Sequence, residues 1–283
     1  MRRRKFLKGV AATVFSLSFS PVALAQSLPT SPVPPEDIRD GQIKDYLHKM
    51  QNFNIHHPDD IFLEKYNFKL LEASLQRLKR LQRTVGHGNF YLLSFDDALN
   101  IARNYTRVGR FTKTELNFLE KIFYEDGSMY GFFGEKPLKN LTDTIRKREV
   151  VKIPRSGNYI FKGAPFETYQ SITKNIGDKV ILTSGVRSVI KQFMLFLSKA
   201  YQSGGNLSMA SRSLAPPGYS YHGIGDFDVG QKGYGVDNFT ERFTTTKVFQ
   251  KLQDHGYIDL RYQLNNLLGV RFEPWHIKVA SKV

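Results

Sequence analysis

The sequence of 283 residues contains no cysteine. Disulfide bonds, thiolate metal sites and a cysteine nucleophile are therefore all excluded. Any metal that the chain binds must be held by histidine, aspartate and glutamate side chains. The chain is also poor in acidic residues, because 26 aspartates and glutamates face 41 lysines and arginines, for a formal net charge of +15.

The basic excess is typical of proteins that bind either nucleic acid or an anionic surface. The sequence contains no lysine-rich stripe interleaved with aromatic residues, so most of the charge is expected on a solvated surface. An export signal, described next, also argues against nucleic acid. We therefore expect no nucleic-acid partner and favour the anionic cell envelope.

The first 25 residues have the pattern of an export signal. Basic residues between Arg2 and Lys8 precede a short apolar run that ends in Ala-Leu-Ala at Ala25, which predicts cleavage after that residue. Arg3 and Arg4, followed by Phe-Leu-Lys, resemble a twin-arginine signal. The alternative is a membrane anchor, but the run is short and rich in serine and alanine. We expect a periplasmic or exported protein with no stable membrane span after cleavage.

The pattern beyond the signal predicts an α+β protein. Residues 26–36 form a proline-rich leader. Residues 37–130 repeat apolar positions at helical spacing, with capping signals at Ser94 and Thr112, and so predict a helical N-terminal region, either a separate small domain or a packed extension. In residues 131–283, short apolar runs alternate with glycine, proline and further helices, which predicts a small antiparallel sheet with flanking helices.

One glycine-rich stretch concentrates groups that can bind metal. GYSYHGIGDFDVG, from Gly218 to Gly230, contains His222 and two aspartates among four glycines, and Glu273 precedes His276 near the end of the chain. A catalytic zinc site uses three ligands from histidine, aspartate and glutamate, with a further carboxylate nearby as a base. Two histidines, one aspartate and one remaining glutamate fit this pattern.

Three blocks of sequence together resemble the zinc D-alanyl-D-alanine carboxypeptidases and dipeptidases of the vancomycin-resistance type, the VanY-type members of the hedgehog/DD-peptidase superfamily. SYHGIGDFDVG is similar to the family's S-x-H-x-x-G-x-x-x-D, FEPWH to E-x-W-H, and SGVRSVIKQ to S-G-Y-R-S-x-x-x-Q. The resemblance extends from about Val180 to Val279 and leaves the helical region unexplained. It implies that the small sheet holds a zinc site.

The resemblance also implies a role for each matching residue. Three would be the Zn²⁺ ligands: His222, Asp228 and His276. Glu273 would accept the proton of the attacking water, and Arg187 would stabilise the oxyanion, although a surface ion pair is the alternative role of Arg187. Ser220 and Gln192 would bind substrate or orient a ligand.

The loop between the first two ligands is shorter than in the family. The family's aspartate follows its histidine by seven positions, whereas Asp228 follows His222 by six and Asp226 by four. A one-residue deletion aligns FDVG with the family's LDVG, which makes Asp228 the expected ligand. Asp226 is the alternative, because residues two apart lie on the same face of a strand.

The expected activity is hydrolysis of peptidoglycan stem peptides, foremost as a zinc D-alanyl-D-alanine carboxypeptidase. A peptidoglycan endopeptidase or an L,D specificity of the same fold is an alternative. A catalytically inactive cell-wall-binding module is another, although such a module has no need of a base such as Glu273. Peptidoglycan peptides are the expected partner in each case.

Overall fold

A computed structural model describes residues 40–279, with side chains from residue 43 onward. The predicted signal and the proline-rich leader lie outside the described residues. Within the described range, no helix is long and apolar enough to cross a membrane.

The predicted helical N-terminal region is confirmed. The described residues before Gly131 contain five α-helices: α1 (Asp40–Gln51), α2 (Lys65–Val85), α3 (His87–Phe90), α4 (Phe95–Asn104) and α5 (Lys113–Tyr124). Helix α2 ends at Gly86, as the sequence predicts. The Ser94 side chain accepts a hydrogen bond from the Asp97 backbone at the start of α4. A complete capping box between Thr112 and Glu115 begins α5.

The remainder of the chain builds two small sheets flanked by helices. Its helices are α6 (Ala164–Ile176), α7 (Val189–Gln202), α8 (Leu207–Ser213) and α9 (Lys247–Asp254). Its strands are β1 (Val150–Lys152), β2 (Tyr159–Phe161), β3 (Val180–Ser184), β4 (Phe227–Gln231) and β5 (His276–Ile277). Five short 3₁₀ turns complete the described elements: Gly127–Tyr130, Lys147–Glu149, Tyr221–Gly223, Gly235–Phe239 and Glu241–Thr245. The predicted α+β class is confirmed.

Both sheets are antiparallel. Strands β1 and β2 form a pair, and β3, β4 and β5 form a three-stranded sheet with β4 at its centre. Asp228 lies opposite His276 on β5 and opposite Ser184 on β3. The central strand therefore carries one candidate ligand directly beside another.

Three elements differ from the sequence prediction. The sequence pattern does not predict helices α6 and α8, because α6 contains four β-branched residues, which have a lower helix propensity, and α8 has only seven residues. The alternation of apolar residues from Gly269 to Val279 predicts a strand over this run, but only His276 and Ile277 form one. The Arg271 and Glu273 backbone amides instead donate to carbonyls of Arg212 and Tyr262, so no ladder forms there.

Two large hydrophobic clusters stabilise the fold. One joins Leu71, Leu75 and Leu78 of α2 with Phe193 and Phe196 of α7, all at most 1% exposed. Burial of this size is a main source of stability. The helical region is therefore a packed extension that covers α7.

The second cluster lies behind the three-stranded sheet. It packs α6 and α9 against Phe227 and Val229 of β4 and against Trp275. The apolar side chains of β4 face this cluster, and Asp228, between them along the strand, points to the opposite face. The packing thus fixes which face of β4 carries the candidate site.

Candidate metal centre

The three predicted ligands lie together in the interior. The residues His222, Asp228 and His276 are each 2% exposed, and one ligand atom of each lies within 4.8 Å of those of the other two. Asp228 Oδ1 is 3.2 Å from His222 Nε2 and 3.1 Å from His276 Nδ1. Two imidazole nitrogens and a carboxylate oxygen therefore converge on one point.

The turn Tyr221–Gly223 positions His222. Its Nδ1 lies 2.7 Å from the carbonyl oxygen of Gly185, so this nitrogen donates and Nε2 remains as the ligand atom. Gly185 cannot carry a side chain, because a Cβ there would lie 1.9 Å from the carbonyl oxygen of Tyr159. The close approach of β2 thus requires glycine at the residue that holds His222.

Arg187 fixes the orientation of Asp228 through the carboxylate oxygen that does not face the histidines. Arg187 Nη2 donates to Asp228 Oδ2 at 2.6 Å, and Arg187 Nε donates to Ser184 Oγ at 2.9 Å. Burial alone would raise the pKa of Asp228, but His222 and Arg187 outweigh it and hold the pKa well below its usual value. The carboxylate is therefore charged and available as a ligand at neutral pH.

His276 has an aspartate at each ring nitrogen. Its Nδ1 faces Asp228, and its Nε2 lies 2.9 Å from Asp226 Oδ2. Burial lowers the pKa of His276, but Asp226 and Asp228 outweigh this effect and raise it to about 9 in the metal-free protein. Asp226, the alternative ligand, lies at the far edge of the ring and outside the group of three converging atoms.

The donor set fits a zinc ion. Zinc in proteins takes histidine nitrogens and carboxylate oxygens at about 2.0–2.1 Å in a tetrahedral arrangement, which separates ligand atoms by about 3.3 Å. The separations from Asp228 Oδ1 to the two histidine nitrogens, 3.2 and 3.1 Å, are close to this value. Three protein ligands leave a fourth position, as in catalytic sites.

Glu273 lies beside this group without belonging to it. Its Oε2 is 4.0 Å from His276 Nδ1, and its side chain is 12% exposed. No described residue donates a hydrogen bond to its carboxylate. Burial raises the pKa of Glu273 above its usual value. A carboxylate with a raised pKa beside a metal centre is suited to act as a base.

A small cavity of about 20 Å³ lies beside the three predicted ligands and has room for roughly one water molecule. Arg187, Gln192 and Ser220 line it together with Glu273. The Gln192 amide donates to the Arg187 carbonyl and accepts from the Gly218 backbone. Gln192 therefore orients Arg187 and the loop before His222 and has little hydrogen-bonding capacity left for a ligand.

Sequence reasoning did not single out two residues near the centre. The Tyr262 ring lies 5.3 Å from the His276 ring and lines the cavity. Arg261 Nε donates to Asp226 Oδ2 at 2.7 Å. The two lie 35 or more positions from Asp226 and 14 or more before His276 in the chain, so no local spacing indicates either contact.

Comparison with known families covers the part of the chain that holds the candidate centre. Residues 164–281 match the VanY family, described as D-alanyl-D-alanine carboxypeptidase. This segment is similar to the VanY family, and we call residues 164–281 the VanY segment. The VanY segment begins at α6, extends past β5 and includes every predicted site residue, whereas α1–α5 precede it.

The solved structures that are similar to the chain include the following three. The LdcB LD-carboxypeptidase is 21% identical with a TM-score of 0.40, and the match covers 49% of this chain and 71% of that one. The vancomycin-resistance D,D-pentapeptidase VanY of a VanB-type cassette, in complex with Zn(II), is 22% identical with a TM-score of 0.39 over 53% and 88%. VanYB in complex with D-alanine-D-alanine is 21% identical with a TM-score of 0.41 over 54% and 86%. No curated protein sequence matches the chain.

Proposed function

We propose that this protein is a zinc-dependent peptidase that hydrolyses peptidoglycan stem peptides, foremost as a D-alanyl-D-alanine carboxypeptidase. One observation carries the proposal: His222, Asp228 and His276 converge beside Glu273 within a VanY segment. A zinc ion bound there would polarise the scissile carbonyl and lower the pKa of a bound water.

Glu273 is the group that would move protons. Its carboxylate lies at the edge of the three-residue group, and burial raises its pKa above the usual value. It would accept a proton from the attacking water and pass it to the leaving amine.

Arg187 has two functions in this scheme. Its Nη2 and Nε are bound to Asp228 and Ser184, which fixes the guanidinium at the cavity wall. Its Nη1 forms no hydrogen bond to any described residue and is the donor left to stabilise an oxyanion. Ser220, which also lines the cavity, would contact the substrate.

We also propose that the protein acts outside the cytoplasm, in the periplasm or beyond. The support is the signal pattern of the first 25 residues, with its paired arginines. Peptidoglycan lies in the same compartment, so the proposed location and the proposed substrate agree.

The test replaces Glu273 by glutamine, which retains the shape of the side chain but cannot accept a proton. We expect Glu273→Gln to keep the fold and about one zinc per chain, to bind wall peptides, and to lose at least about 100-fold in hydrolysis. Glu120→Gln, an exposed position of α5, is the matched control and should hydrolyse at the normal rate. His222→Ala should lose the zinc.

Product identification after digestion of purified peptidoglycan separates the alternatives. Release of free D-alanine indicates a carboxypeptidase, and cleavage of the cross-links between stem peptides indicates an endopeptidase. Turnover retained by Glu273→Gln with its zinc would show that another group takes the proton. Tight binding of wall peptides by the unmodified protein, with no product at any zinc concentration, would favour a binding module.

A further inference from the structure

Asp226 forms three polar contacts although it lies outside the cavity and outside the group of converging ligand atoms. The residue is 3% exposed and immediately precedes β4. Its Oδ2 lies 2.9 Å from His276 Nε2 and accepts from Arg261 Nε at 2.7 Å, while its Oδ1 accepts from the Val279 backbone at 3.0 Å. A buried carboxylate with this many partners is fixed in one orientation.

The position of Asp226 determines which nitrogen of His276 can act as a ligand. A neutral imidazole carries its proton on one nitrogen and offers a lone pair from the other. A carboxylate at Nε2 holds the proton there, so the lone pair is on Nδ1, which faces Asp228 and His222. Metal-binding histidines commonly have such an acceptor on the second nitrogen.

Arg261 supports Asp226 and also connects it to the first ligand. A buried charge without a partner is costly, and the Arg261 guanidinium supplies that partner. The same guanidinium stacks 3.4 Å above the ring of Tyr221, the residue before His222. The ion pair therefore joins the strand of His276 to the turn of His222.

We propose that Asp226 is a positioning residue of the metal centre, which holds His276 with Nδ1 directed at His222 and Asp228, and that Arg261 holds Asp226 in place. This inference rests on the proposed function, because it assumes that the three-residue group binds zinc. The loop between His222 and Asp228 is one residue shorter than in the family. Asp226 therefore contacts Nε2 of His276, the nitrogen that faces away from the other two ligands.

The test measures zinc affinity, by competition with a chelating dye, in variants of the full mature chain. Loss of such a support typically weakens metal binding about 10–100-fold, and we expect a loss of this size for Asp226→Ala. Asp226→Asn retains an oxygen that can accept from Nε2, so its loss should be smaller. Arg261→Gln should weaken binding as well. The cobalt(II) absorption spectrum should change in Asp226→Ala, because His276 is then free to turn.

Asp60→Asn is the matched control. Asp60 is also buried and paired with an arginine, Arg212, with a shortest separation of 2.5 Å, but it contacts no residue of the centre. This variant should lose stability and retain the zinc affinity and cobalt spectrum of the unmodified protein. Equal losses of affinity in Asp60→Asn and Asp226→Asn would show a merely structural effect and overturn the inference.

The outcomes distinguish this inference from the proposed function. Zinc binding by the unmodified protein, with unchanged affinity and spectrum in Asp226→Ala, overturns the inference and leaves the proposed function intact. Zinc retained by Asp228→Ala and abolished in Asp226→Ala would make Asp226 the ligand and also overturn it. Failure of the unmodified protein to bind zinc overturns both. Asp226→Asn, which keeps the shape of the side chain, gives the decision if Asp226→Ala does not fold.

Discussion

Replacing Leu75 by alanine should destabilise the candidate metal centre as well as the helical region that contains Leu75. Leu75 is 1% exposed in α2 and belongs to the cluster that includes Phe193 and Phe196 of α7. Removal of a buried leucine side chain costs about 2–5 kcal/mol through lost contacts and a residual cavity. For a unit of this size, that loss lowers the melting temperature by roughly 4–20 °C.

The sole tryptophan makes the assay selective. Trp275 is buried next to His276 in the second cluster, so its fluorescence reports unfolding near the candidate centre, while far-ultraviolet circular dichroism reports mainly the helices. We expect Leu75→Ala to shift both transitions by the same amount, because the two parts unfold together. Gln76→Ala, an exposed neighbour on α2, should change stability by less than about 0.5 kcal/mol. A helical transition that moves alone, with the fluorescence transition unchanged, would refute the idea of one cooperative unit.

Two further predictions concern the centre itself. The zinc-free protein should become less stable as the pH rises from about 6.5 to 8. The reason is that His276 has a pKa of about 9 in the folded protein against an ordinary value of 6.5, so the folded state binds its proton more tightly than the unfolded state does. Zinc displaces that proton and should reverse the trend in thermal melts. Gly185→Ala should cost about 1–3 kcal/mol or more and weaken zinc binding, since its Cβ would clash with the Tyr159 carbonyl, whereas Gly88→Ala, with 3.6 Å to its nearest neighbour, should do neither.

Several parts of the fold are predictable from local sequence. The end of α2 at Gly86 and the start of α5 at Thr112 follow from short signals that act within one helical turn. The candidate ligands are recognisable because His222 and Asp228 lie in one short block and His276 in another, each with its own pattern.

Other parts depend on contacts between distant residues and leave no local pattern. The sequence shows that α7 is apolar on most sides, but it does not show that α2 covers it. The choice between Asp226 and Asp228 depends on where β5 pairs with β4, because that register decides which carboxylate meets which nitrogen of His276. Helix α8 is too short for its periodicity to be distinguished from a loop.

The packing of α2 on α7 has a consequence for how this protein can be divided. Helix α7 lies inside the VanY segment, but its phenylalanines Phe193 and Phe196 are buried by helices that precede that segment. A fragment trimmed to residues 164–281 would expose this hydrophobic surface to water, which promotes aggregation. Loss of activity in such a fragment would therefore report aggregation, and the VanY segment of this chain depends on the helices that precede it.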